Sequence, residues 1–348
     1  MQNFVSKIIL GSKLGFYVNR LSDDEKKAEI ISHELQADDL LAMETTPGGL
    51  RTLIDLIYDA TKISKISFNP QKCGIVVIDG DREDFKEKWK ELNEKSDKIK
   101  IEIKDDFKYL GTIAQEDDID DVNVENRIKE TEKIQLLSTG FFGHRMMPLE
   151  VRVDLVKSYV IPKLTSTLNT FIVTGKNARK IDKLGNDVMR KIFNLKNSST
   201  VKPLYVQAGL LPFNTQLHIN TVNLLLRILA TDTPCADLVR DIGLDLIPLK
   251  SNWSKYCLKI LESYGIYGAE NWLKKGIVTR ENVTEIQRMV KRQIEKVKWE
   301  ELKRDCSYMT ATEEMDLDMR KFKKVASELE AGNTYFSIRS KTVKSWIL

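Results

Sequence analysis

Two adjacent carboxylates, Asp38 and Asp39, sit in Gln36-Ala37-Asp38-Asp39 between Ile30 and Leu35 on one side and Leu40 and Leu41 on the other. Apolar runs flanking such a doublet predict a strand–turn–strand with acidic side chains at the tip of a hairpin. Hard divalent cations such as magnesium or manganese take oxygen ligands, and a metal pair can clamp both oxygens of an in-line phosphoryl displacement. An acidic pair alone is also an ordinary solvated turn. The elements around it decide between the two.

The 348 residues are 42% hydrophobic and 30% charged, enough for two or three units that each bury a core. The net charge of +4 and a pI near 8.6 permit a polyanionic partner without requiring one. No apolar run reaches bilayer-spanning length, which argues against a membrane protein. The stretch from Met1 to Val18 is interrupted by Lys7 and Lys13 and lacks a cleavage pattern, so it does not read as a signal peptide. Cys73, Cys235, Cys257 and Cys306 are scattered, and none lies near His33, His144 or His218. That spacing carries no zinc motif and predicts free thiols in a reducing compartment. An intracellular protein, nuclear or cytoplasmic, is the expectation.

Residues 4 to 42 read as mostly extended, with Phe16-Tyr17-Val18 as one strand and Asp23 to Lys27 as a charged turn. Pro47-Gly48-Gly49 reads as a break, followed by a helix with Leu50, Leu53, Ile54, Ile57 and Ala60 inward. Ile66-Ser67-Phe68, an Asn69-Pro70 turn and an apolar strand from Gly74 to Ile78 come next. Asp81 to Lys98 predicts an amphipathic helix with Phe85, Trp89 and Leu92 on one face, and Ile99, Ile101 and Ile103 alternate as in a strand. Phe107 to Gly111 reads as a short strand ending in a turn. Glu116 to Asp121 reads as a charged loop, since it lacks the glycine and distal glutamate of a calcium loop.

From about residue 122 helical periodicity dominates. Val124 and Ile128 mark one helix; Pro148 opens another whose inward face is expected at Val151, Leu155, Val156 and Tyr159. Ile181, Leu184, Val188, Met189 and Ile192 mark a third, and Gln216 to Ala230 is a strongly apolar fourth. Trp253, Cys257, Ile260 and Leu261, then Val283 to Leu302, then Asp316 to Ala331 complete the series.

In that order, the segments resemble the second half of a reverse transcriptase of the non-LTR (LINE-type) retrotransposon class. Gln36 to Asp39 resembles the Tyr-Ala-Asp-Asp motif of the palm. Phe68-Asn69-Pro70-Gln71-Lys72-Cys73 resembles the Ile-Asn-x-x-Lys-Thr/Ser motif after it, and Phe107-Lys108-Tyr109-Leu110-Gly111 the primer-grip strand. Ile181 to Leu184, Met189 to Ile192, Leu204-Tyr205 and Gly209 to Pro212 resemble the thumb and post-thumb region. The resemblance covers roughly residues 5 to 230.

It implies an α+β fold: a partial antiparallel palm sheet with two packed helices over residues 1–113, a helical thumb-like region over 114–230, and post-thumb helices over 231–348. Asp38 and Asp39 would be metal-binding and catalytic, with Mg2+ or Mn2+ as cofactor. Lys72 would offset charge on the leaving pyrophosphate. Tyr109 and Gly111 would hold the primer strand. Lys157, Lys163, Lys176, Arg179, Lys180, Arg190 and Lys191 would follow the backbone of an RNA template and DNA primer, with dNTP as substrate.

Three departures qualify this. Gln36 replaces the usual tyrosine, Lys65 stands where glycine is usual, and no glycine-rich or first-aspartate palm motif precedes the hairpin. A two-metal site needs a further carboxylate from a neighbouring strand. These residues alone are therefore expected to be inactive as an RNA-directed DNA polymerase and to need an N-terminal polymerase half. The alternatives are a nucleic-acid-binding or protein-interaction remnant of a retroelement without polymerase activity, and a helical scaffold with no nucleic-acid role.

Overall fold

Helix α1, Pro47–Ile63, forms where a proline fixes the first helical φ and Thr46 caps the turn, its hydroxyl accepting from the Gly49 amide at 3.1 Å. Pro47-Gly48-Gly49 is thus the first turn of a helix, where the sequence suggested a break. Leu50, Leu53, Ile54, Ile57 and Ala60 are all buried, as their spacing predicts. The computed structural model describes residues 16–18, 29–31, 33–36, 39–63, 65, 69–78, 81–115, 119–137, 147–195, 199–247 and 252–309. The Asp23–Lys27 turn, the Ile66-Ser67-Phe68 segment and the Asp316–Ala331 helix lie outside them.

The chain divides into two units, Met1–Asn123 with Asp245–Pro248, and Val124–Leu244 with Leu249–Leu348. The first is α+β. Its strands pair as separate antiparallel two-stranded ladders: β1 (Phe16–Val18) with β2 (Glu29–Ile31), β3 (His33–Gln36) with β4 (Asp39–Ala42), and β5 (Asp106–Tyr109) with β6 (Thr112–Gln115). Helix α2, Arg82–Lys95, is capped by Asp81, whose carboxylate accepts from the Glu83 and Asp84 amides. It packs on α1 around Leu50, Ile54, Ile75, Trp89, Ile99 and Ile101.

Residues 74–78 and 99–103 do not form the two strands their sequences predict. They meet at a single parallel bridge, Ile75 to Ile103, with Ile75 N donating to Glu102 O at 3.0 Å and Lys104 N donating to Ile75 O at 2.8 Å. Side chains tie them down instead. Trp89 Nε1 donates to Ile101 O at 2.9 Å, Arg51 Nη1 donates to Ile99 O at 2.9 Å, and the Arg51 guanidinium lies 5.5 Å from the Trp89 ring centre.

Beyond this, helices carry the fold: α3 (Ile119–Leu137), α4 (Leu149–Leu155), α5 (Ile161–Thr165), α6 (Gly175–Ile192), α7 (Lys202–Ala208), α8 (Phe213–Leu229), α9 (Pro234–Gly243), α10 (Trp253–Ser263) and α11 (Val283–Met309). Asp120 and Asp121 occupy the first turn of α3, where carboxylates face the positive helix end, and so are not loop residues as their sequence suggested. Central α8 packs against α5, α6, α9, α10 and α11. Phe213, Leu217, Val222, Leu225 and Leu226 are at 0% exposure and only Arg227 is exposed, so its apolar residues face neighbours on most sides and do not fall in a single row.

One inward face differs from its reading. Between α4 and α5 the chain makes a π-helical turn, Val156–Val160, in which Ile161 N donates to Val156 O. Pro162 lacks the amide that would close an α-turn on Ser158, and a wider turn accommodates this. The buried row is Val153, Val156, Val160, Ile161 and Leu164, while Val151 and Tyr159 are 44% and 64% exposed. Both rows are apolar in sequence, so periodicity alone did not choose between them.

Candidate functional site

The β3–β4 ladder is in register His33 to Ala42, Glu34 to Leu41, Leu35 to Leu40 and Gln36 to Asp39. Two residues, 37 and 38, link the strands, and Asp39 opens β4 as the closing pair with Gln36. The antiparallel hairpin that the acidic doublet predicts is thus present in the backbone. Asp38 itself lies outside the described residues. Among the described residues, no three His, Cys, Asp or Glu side chains gather as a metal site.

A glycine-like position and an asparagine cap shape the neighbouring turns. Lys65 follows α1 with φ 55°, the left-handed conformation that glycine adopts without a Cβ penalty, and its amide bonds Lys62 O at 3.1 Å. Lysine therefore stands in a glycine conformation at the position where the resembled family has glycine. Asn69 then caps a 3-10 turn, Pro70–Lys72, its side chain accepting from the Gln71 amide at 3.1 Å. Lys72 ends that turn, exposed, and its ammonium has no ionic partner among the described residues. Cys73 beside it bonds Asn69 O through Sγ at 3.3 Å, and burial pushes its thiol up.

Tyr109 and Gly111 belong to the β5–β6 hairpin. Tyr109 is half-buried and paired with Thr112; Leu110 and Gly111 turn the chain with φ 47° and 83°. Both central residues being left-handed matches the tight primed turns that suit strand twist. Asn123 locks the hairpin, exchanging two bonds of 2.7 Å with the Ile113 backbone.

The proposed backbone-following cations separate into groups. Lys176, Arg179 and Lys180 lie together on the first half of α6, the first two exposed. Lys180 is ion-paired with Glu125 of α3. That bonded ammonium, helped by Lys129 and Lys176, holds the Glu125 carboxyl below its usual range. Lys163 pairs with Glu130 at 3.1 Å and Lys157 with Asp154 at 4.0 Å. Arg190 and Lys191 occupy the last turn of α6, about 21 Å along the axis from Lys176. There Arg190 is committed inside the protein, pairing with Asp187 at 3.0 Å and donating through Nε to Ser199 O at 3.0 Å. Cations near a helix C-terminus also serve the macrodipole.

Sequence reasoning missed Lys183, exposed and seven residues after Lys176, and the cations of α11. It also missed a buried polar junction formed by α6, α7, α8 and the end of α10, with α11 alongside. His218 Nδ1 is 2.9 Å from the Tyr264 hydroxyl; burial, with Lys298 nearby, lowers the imidazole pKa to about 4, and burial raises Tyr264 to about 12. Asp182 is raised by burial, and Tyr205, at 3% exposure, has no hydrogen-bond partner for its hydroxyl among the described residues. His218 is therefore a packing residue. No disulfide links the four cysteines, and Cys257 and Cys306 are buried. No helix among the described residues is long and apolar enough to cross a membrane. No protein-family model matches the chain, and no curated protein matches it.

Proposed function

We propose that these residues are the later palm and thumb portion of a non-LTR-type reverse transcriptase, and that on their own they bind an RNA/DNA template–primer without extending it. The observation that carries this reading is the hairpin closed by Gln36 and Asp39, which puts Asp39 at the first position of β4, directly after a two-residue connection. The glycine-like φ of Lys65 and the hairpin after Tyr109 agree with the order of motifs.

Two adjacent carboxylates suit a hard cation, so Asp38 and Asp39 would hold magnesium or manganese. Bound there, the ion would supply positive charge beside the reacting phosphate. Lys72 would add a cation toward the leaving group, Tyr109 and Gly111 would seat the primer, and Lys176 and Arg179 would lie along the phosphates. Four cysteines with no disulfide between them suit an intracellular setting.

Manganese binding, read by the loss of the free Mn2+ electron paramagnetic resonance signal, tests the doublet. The wild-type chain should take up Mn2+ and Asp38→Ala/Asp39→Ala should not; equal uptake by both would refute the assignment. Incorporation of dTTP on poly(rA)/oligo(dT) should be absent for the chain alone. Incorporation that Asp38→Ala abolishes would overturn the expected inactivity.

A further inference from the structure

Helix α11 carries its charges unevenly. From Ile286 to Ile294 it holds Arg288, Lys291 and Arg292 with no acid among them, whereas from Glu295 to Asp305 acids and bases alternate. Its inward side is fixed by Val290 and Ile294, at 1% and 0% exposure, and by two side-chain amides. Gln287 donates to Asn223 O and Gln293 to Tyr264 O, each at 3.0 Å. Arg288, Arg292 and Lys296, spaced four residues apart, run along the side away from Val290 and Ile294, and all three are exposed.

None of the three has an ionic partner among the described residues. Several other helical cations are paired, Lys86 with Glu83, Lys88 with Asp84 and Lys298 with Glu301, whereas Lys176, Arg179 and Lys183 of α6 resemble the α11 row in having no ionic partner among the described residues. Lys291, at the edge of the row, pairs with Glu295 at 3.8 Å. Like charges four residues apart repel weakly, so the row costs the isolated helix a little and gains from a polyanion. At 1.5 Å per residue it is about 12 Å long. A nucleic-acid strand advances about 3.4 Å per phosphate, so three or so phosphates fit along it.

We infer that the exposed side of α11 is a second contact for the phosphate backbone of the template–primer duplex, with Arg288, Arg292 and Lys296 each neutralising one phosphate. This rests on the reading of the chain as a nucleic-acid binder but not on the acidic hairpin. It adds a second set of exposed cations to Lys176, Arg179 and Lys183 of α6, on residues beyond the reach of the resemblance.

The test is fluorescence anisotropy of the full chain with a labelled RNA/DNA hybrid from 50 to 200 mM salt. Removing one cation that neutralises a phosphate lowers the slope of log K against log salt by roughly 0.9. Arg288→Gln/Arg292→Gln/Lys296→Gln should lower it by roughly 2 to 3, while Arg288→Lys/Arg292→Lys should keep it. Lys86→Gln/Lys88→Gln/Lys95→Gln on α2 removes equal charge and should leave it unchanged. An unaltered slope in the α11 variant overturns the proposal, and so does an equal fall in the α2 variant. Absence of hybrid binding by the wild-type chain overturns it together with the binding reading. Loss of Mn2+ uptake as the only failure strikes the hairpin assignment and leaves α11 standing.

Discussion

Replacing Gly185 with alanine should destabilise the helical unit, against the intrinsic preference of the helix. Gly185 lies inside α6, where alanine is favoured over glycine by about 1 kcal/mol. A Cβ there would stand 2.7 Å from the Tyr205 hydroxyl and 2.9 and 3.1 Å from Phe213 ring carbons. Neither neighbour has room to move, since Tyr205 is 3% exposed and Phe213 0%. Overpacking of this kind costs about 1–3 kcal/mol, and two rigid rings argue for the upper half of that range. The net loss should be about 1–2 kcal/mol, a fall in Tm of roughly 2–8 °C for a helical unit of about 220 residues. Thermal melting by circular dichroism measures it. Tyr205→Phe alone should be near neutral, because it removes a hydroxyl with no partner among the described residues. In the Gly185→Ala background it should restore part of the loss, leaving the Phe213 contacts. A Gly185→Ala protein that melts at or above the wild type would refute the reasoning.

Other outcomes follow from the same geometry. Lys65→Gly should raise the denaturation midpoint by about 1 kcal/mol of stability by removing a Cβ from a left-handed residue; a lower midpoint would contradict the strained backbone. Leu110→Asn should stabilise by up to about 1 kcal/mol, as Asn-Gly is the favoured pair for a turn with two positive φ values. Arg51→Met should cost about 2–3 kcal/mol, since the Ile99 carbonyl and the Asp55 carboxylate both lose a donor, and Arg51→Lys should not restore it. His218, with its folded pKa lowered to about 4, stays neutral in the native protein while the unfolded chain protonates near 6.5. Its contribution is therefore complete above about pH 6.5 and is lost as pH falls toward 4, by up to about 1.4 kcal/mol per pH unit. The raised Asp182 opposes this trend, so the difference between the wild-type and His218→Gln stability curves should isolate it; parallel curves would show that the imidazole is not held neutral.

Helices α1, α6 and α10 were legible in the sequence because each carries one apolar row at helical spacing against polar neighbours. The hairpin at Gln36–Asp39 was legible because apolar runs flank a short polar turn, and Phe107 to Gly111 was legible as a strand ending in a turn, whereas its partner strand Thr112–Gln115 was not. The extended stretches at 74–78 and 99–103 read as paired strands, but burial of Ile75, Val77, Ile99 and Ile101 holds them without a ladder. The short helices α7 and α9 gave little periodic signal, with seven and ten residues. Of the candidate site, the sequence supplied residue types and order; it could not show that Arg190 is spoken for by Asp187 and Ser199, because those bonds depend on the end of α6. Nor could it show the bond between His218 and Tyr264, residues 46 apart. The acid-free run around Arg288 is visible in the sequence, but it reads there as one more solvated helix face.

The wide turn ahead of Pro162 has an evolutionary corollary. The turn holds one residue more than an α-turn, with Ile161 N reaching back five residues to Val156 O, so deleting one of residues 157–160 would let it close as an ordinary α-turn. Val153 and Val156 before it and Ile161 and Leu164 after it would keep their inward side, and the cost would fall on Pro162, left inside a regular helix without an amide to donate. The segment thus marks a place where a codon can be gained or lost without exchanging the lining of the interior.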